Sequence, residues 1–124
     1  MQTISTPSAP AAIGPYSQGQ VSGGFLFSAG QIPLIPETME LMTGSIEDQT
    51  QRVLENLDAV LAAAGSSWQK VVKTTVFLTD LAEFAAFNAV YGDHLADARP
   101  ARSTVQVAAL PKGAKVEIEL IAEV

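Results

Sequence analysis

The sequence predicts an α+β fold in the order β-β-α-β-α-β-β, with two helices covering one face of a mixed sheet. Three observations carry this. Apolar residues recur at helical spacing from Ile46 to Ala64. Residues 70–78 alternate in the manner of a strand and are rich in Val and Thr. Strand signals lie at both ends of the chain, so each helix must pack back onto a sheet built from distant segments.

Bulk properties narrow the function classes. With 124 residues the chain makes one domain, 1–124. At 48% hydrophobic and 16% charged it can bury a core. A net charge of −6 repels phosphate backbones and argues against nucleic acid as a partner. With no cysteine and one histidine, disulfides, thiol nucleophiles and a zinc site have no ligands to build on. This usage fits a cytoplasmic protein. The longest apolar run, 59–64, is far too short to span a membrane, and no basic-then-apolar leader opens the chain.

Residues 1–15 carry Pro7, Pro10 and Pro15 and read as extended loop, because proline fixes φ and removes amide donors. A short strand follows over 16–21, a Gly23-Gly24 turn, and a returning aromatic strand over 25–31. Gly30 ends that strand, where a missing side chain allows close approach or a positive φ. Residues 33–42 are irregular. Ser45 and Asp48 form a variant capping box ahead of the first helix, and Gly65 closes it. After the strand over 70–78, Asp80 and Glu83 cap a second helix carrying Phe84, Phe87, Val90 and Tyr91, with periodicity breaking over 92–99. The last strands span 102–108 and 115–124. Leu110-Pro111-Lys112-Gly113 supplies turn residues between them, so they read as a hairpin.

Alternation then assigns faces. Val116, Ile118, Leu120 and Ala122 point to the core, leaving Glu117 and Glu119 on the opposite side. On the neighbouring strand Ser103, Val105 and Val107 read as core-facing, and Arg102, Thr104 and Gln106 as sharing the face of Glu117. A strand-borne guanidinium beside a strand-borne carboxylate is a rigid recognition pair. The second face mixes apolar and polar residues: a small monomer could leave it wet, and a symmetric oligomer would pack it against copies of itself.

Four stretches together resemble the RidA family, also called the YjgF family. They are Ala12-Ile13-Gly14-Pro15-Tyr16-Ser17-Gln18, Ser28-Ala29-Gly30-Gln31-Ile32-Pro33, Val72-Lys73-Thr74-Thr75-Val76-Phe77-Leu78, and Pro100-Ala101-Arg102-Ser103 through Leu110-Pro111 to Val116-Glu117-Ile118-Glu119. The resemblance covers nearly the whole chain. It implies a chorismate-mutase-like fold, a homotrimer with pockets between subunits, and hydrolysis of enamines and imines such as 2-aminoacrylate and 2-iminopropanoate to 2-oxo acids and ammonia, without cofactor or metal. It implies Arg102 as the carboxylate grip and Glu117 as the acid that handles water. It also implies Tyr16, Gly30, Asn88 and Thr104 as ligand-contact positions. The chain departs from the family pattern at Thr104, often cysteine, at Ala29, often serine, and at Arg99, usually aromatic.

Each residue also has a plainer reading. Arg102 could be a structural ion-pair residue, Glu117 a solvated carboxylate, Tyr16 an interface residue and Asn88 a local cap. His94 reads as exposed and Trp68 as core. The functional alternative is a non-catalytic trimer that binds small carboxylates or serves regulation.

Overall fold

The computed structural model describes all 124 residues, Met1–Val124. The elements are β1 (Gln2–Ile4), β2 (Gly19–Ser22), β3 (Phe25–Ser28), α1 (Ile46–Ala63), β4 (Val71–Leu78), α2 (Phe84–Leu95), β5 (Ala101–Gln106) and β6 (Val116–Glu123). The six strands form one mixed sheet in the order β1-β2-β3-β6-β4-β5. Strands β4 and β5 are parallel, joined across α2, and every other pairing is antiparallel.

Both helices sit where their apolar stripes require. Ser45 accepts the Asp48 amide at 3.1 Å and starts α1. Val53, Leu54, Leu57, Val60 and Leu61 bury its inner face. Gly65, at φ +72°, ends it: the Gly65 amide reaches the Ala62 carbonyl and the Ser66 amide the Leu61 carbonyl, two bonds that satisfy the last turn. Helix α2 buries Phe87, Tyr91 and Leu95. Across from both lie Val76, Leu78, Val116, Ile118, Leu120 and Ala122, completing the core.

Several expectations are corrected. The amino-terminal loop contains a strand, β1, whose Ile4 is buried in the core. The strand expected over 16–21 is β2, and it begins only at Gly19. Helix α2 runs through Gly92 to Leu95, because burying Tyr91 and Leu95 outweighs a glycine cost of about 1 kcal/mol. His94 is not exposed. It meets the Asp58 carboxylate at 2.8 Å, and Trp68 donates its indole N–H to the same group at 2.6 Å, which ties α1 to α2 and to the turn before β4.

The largest correction concerns the last two strands. They do not form a hairpin, since β4 lies between them. The most apolar stripe takes the interior: the core-facing residues of β6 are 0–2% exposed. Strand β5, with Arg102, Ser103, Thr104 and Gln106, takes the edge, where polar side chains can reach water. Its register with β4 reverses its faces. Arg102 pairs with Thr74, Thr104 with Val76 and Gln106 with Leu78, all on the helix-covered side. Ser103 and Val105 face the open side, against the expectation. Glu117, paired with Phe77, also faces the open side. Arg102 and Glu117 of one chain therefore stand on opposite faces of the sheet, two strands apart.

The cap of α1 is a direct check on this account. Ser45→Ala should cost about 1 kcal/mol in urea denaturation, and Ser45→Asp should restore most of it; equal stability of all three would remove the cap from the folding argument.

Candidate functional site

Two concavities flank the sheet, and each receives part of the expected site. The first, about 560 Å³, lies over the open face and is lined by Ile13, Tyr16, Gly30, Lys112 and Glu117 among others. Its outer wall is the proline-rich loop, which has no strand partner there. One buried side chain holds it. Gln18 accepts the Thr6 amide at 2.6 Å and donates to the carbonyls of Thr6, Ala9 and Pro10 at 3.0, 3.3 and 2.8 Å. Tyr16 is brought to the mouth, its hydroxyl accepting the Ile13 amide at 3.3 Å. The segment after Gly30 is fixed from the other side, by Asn56 donating to the Leu34 carbonyl at 3.0 Å.

Gly30 has a specific steric reason. A Cβ at this position would collide with the Glu117 carboxylate, whose Cδ would lie 2.8 Å away. Its φ is not positive, so of the two reasons open to a glycine here, close approach is the operative one. Glu117 is half-buried, and burial raises its carboxyl above the ordinary range, with the Glu119 charge on the same face adding to the rise.

The second concavity, about 410 Å³, lies on the helix side at the β5 edge and is lined by Asn88, Tyr91, Ala98, Arg99, Pro100 and Arg102. The Arg102 guanidinium carbon stands 4.9 Å from the Tyr91 ring centre and 5.4 Å from that of Phe84. Its Nη1 donates to Asn88 Oδ1 at 2.7 Å. It enters no ion pair. A planar cation backed by two rings, with donors left over and no carboxylate of its own, suits a carboxylate ligand. Burial pushes the Tyr91 phenol up, while its 2.8 Å bond to Thr74 and the charges of Arg102 and Arg99 pull it part-way back.

The structure thus gathers five of the six expected residues into two groups: Tyr16, Gly30 and Glu117 in one cavity, Asn88 and Arg102 in the other. Thr104 lines neither. It stands on the face of Arg102, with its hydroxyl buried and unpartnered. Sequence reasoning missed Gln18, Tyr91 and Lys112. Tyr91 was legible only as a core residue, and its second role, backing Arg102, comes from the β4–β5 register.

The profile described as Endoribonuclease L-PSP matches residues 6–124. The chain belongs to that family. Its members, the YjgF/RidA/RutC group, include the RutC family protein slr0709 of Synechocystis, 54% identical over 98% of this chain and 95% of that protein. The chloroplastic Reactive Intermediate Deaminase A of Arabidopsis thaliana is 49% identical over 98% of this chain and 65% of its own length. Among solved structures, E. coli TdcF with bound serine superposes at a TM-score of 0.94, with 46% identity over 100% of this chain and 99% of that one. The two helices on a six-stranded mixed sheet match the YjgF, chorismate-mutase-like fold. No helix is long and apolar enough to cross a membrane.

Two outcomes follow from the Glu117 cavity. If the Glu117 carboxylate serves catalysis, Gly30→Ala, which should displace it, lowers kcat/KM by about 10- to 100-fold, with a change in Tm of only a few degrees, because the clash is with a side chain that can turn away. An unchanged kcat/KM would show that the carboxylate position is immaterial. If ionised Glu117 is required, activity falls as pH drops through its raised pKa. Glu119→Gln, which removes the added negative charge, should shift that acid limb to lower pH. An unmoved limb would assign it to another group.

Proposed function

We propose that this protein is a cytoplasmic homotrimeric deaminase that hydrolyses 2-imino acids, such as 2-iminopropanoate and 2-iminobutanoate, to 2-oxo acids and ammonia. The observation that carries the reading is the separation of Arg102 and Glu117. Each stands at the mouth of a cavity, one on each face of the sheet. A single chain cannot bring both to one small ligand. A ring of copies can, if the β5 edge of one lies over the open face of the next. That face carries the apolar surface such packing needs: Phe27 is 46%, Val105 43% and Phe25 38% exposed.

The chemistry asks little of the protein. Arg102, with Asn88 orienting one of its nitrogens, grips the substrate carboxylate. Glu117 takes a proton from water as the water oxygen bonds to the imine carbon, and passes that proton to the nitrogen, which gives a neutral carbinolamine. In the collapse Glu117 takes the hydroxyl proton as C=O forms and hands it to the nitrogen as the C–N bond breaks, so ammonia leaves and the carboxylate is regenerated. Imines already hydrolyse in water, so positioned acid–base help of roughly 10²–10⁴ suffices. The raised carboxyl of Glu117 suits a group that both accepts and returns a proton. The name of the Arabidopsis relative supports the reaction class, and the serine in E. coli TdcF supports a small amino-acid-like ligand.

A second reading, a non-catalytic trimer that binds small carboxylates, needs Arg102 but not Glu117. An RNA-cleaving role, which the family description names, finds little support in a chain of net charge −6.

The test is 2-oxo acid release from imine generated in situ by a dehydratase. Wild type should accelerate it, and Arg102→Ala and Glu117→Ala should each lose most of the activity. Co-refolding the two variants in equal amounts should return about a quarter of the sites to full composition, because each site would draw its Arg and its Glu from different chains. No recovery on mixing would sink the shared site. Full activity of Glu117→Ala would favour the binding-only reading.

A further inference from the structure

Beside Arg102 stands a second guanidinium that the proposed reaction does not use. Arg99 lines the same cavity of about 410 Å³, and no acidic residue shares that lining. We infer that Arg99 is a specificity residue that makes this site favour dianionic ligands, 2-imino acids with a second carboxylate, over monocarboxylates. The inference takes from the preceding section the placement of the first carboxylate on Arg102.

Arg99 is held, not loose. Its Nη1 donates to the carbonyls of Ala96 and Ala98, the latter at 2.7 Å. Those two bonds use both hydrogens of Nη1 and leave Nη2 and Nε free, so the fork keeps three donors for a ligand. The bonds also fix the turn that leads from α2 to β5, where Ala96 sits at φ +53°. A guanidinium immobilised by backbone loses little further freedom on binding, which is the condition for a selective contact. Arg99 also makes no ion pair. Two unpaired cations on one cavity wall, in a chain of net charge −6, make a local positive site in an otherwise acidic protein.

The neighbouring groups agree with this placement. Both arginines line the cavity with Tyr91, and the charge of each lowers the pKa of its phenol. The remaining polar side chain, Asn88, is already bound to Arg102. A ligand with one carboxylate satisfies Arg102 and leaves Arg99 facing solvent. A ligand with a second carboxylate a few bonds away satisfies both.

Equilibrium binding tests this apart from turnover, with 2-oxoglutarate as the dianionic probe and 2-oxobutanoate as the monoanionic one. Wild type should bind 2-oxoglutarate about tenfold or more tightly, and Arg99→Gln should shrink the preference to about two- or threefold. Arg99→Lys, which keeps the charge without the fork, should fall between them. A wild-type ratio near one, or a ratio unchanged in Arg99→Gln, overturns the inference. Should Arg99→Gln fail to fold, the wild-type ratio at low and high salt decides, because a preference built on a second charge shrinks as salt screens it; a salt-independent ratio counts against Arg99. A dianion preference without acceleration of imine decay would sink the deaminase reading and leave the Arg99 assignment standing. Imine hydrolysis without that preference would do the reverse.

Discussion

The pairing of β4 with both β6 and β5 is the constraint on which the rest of this molecule depends. Strand β4 is the one element bonded antiparallel on one edge and parallel on the other. The parallel edge forces the chain to cross over through α2. That crossover lays Phe84 and Tyr91 beside the Arg102 side chain. The antiparallel edge sets β6 so that Val116, Ile118, Leu120 and Ala122 meet the helices and Glu117 does not. Two registers on one strand thus send the guanidinium to one face and the carboxylate to the other.

The two sites also differ in how they are built. Arg102 rests on regular elements, a strand behind it and a helix beside it, so its position follows from the core. Glu117 is strand-borne too, but the walls around it are loop, held by the side-chain amides of Gln18 and Asn56. Rigid strands carry the two candidate side chains, and loops shape the space around Glu117. At the Arg102 cavity the turn after α2 plays that shaping part, and there Arg99 puts a second charge on the wall.

Much of the architecture was legible from residue order. The helical stripe after Ser45, the alternation over 70–78 and the apolar face of the last strand each placed an element correctly, because local periodicity reports burial directly. Strand neighbours were not legible. A turn sequence such as Leu110-Pro111-Lys112-Gly113 says that the chain reverses, not that the flanking strands pair. Taking them as a hairpin put Arg102 and Glu117 on one face. The polarity of β5 was the available warning, since a strand with Arg, Ser, Thr and Gln belongs at an edge. Arg102 bonds Asn88, and Tyr16, Gly30 and Glu117 line one cavity, but the shared face expected for Arg102 and Glu117 does not form. The loop anchors escaped notice, since a glutamine that bonds only backbone leaves no periodic trace.

The way the amino-terminal loop is attached has a further consequence. Gln18 is buried and carries four bonds to the backbone of 6–10, a stretch that forms no ladder with the sheet and reaches the core only through Ala9. Opening such a segment costs those four bonds and the Ala9 contact, less than the stability of the whole fold. Amide exchange at Thr6 would then be faster than in β4. The wall of the Glu117 cavity thus opens more readily than the sheet and helices beneath it, and substitutions at its exposed positions can reshape that cavity with little cost to the fold.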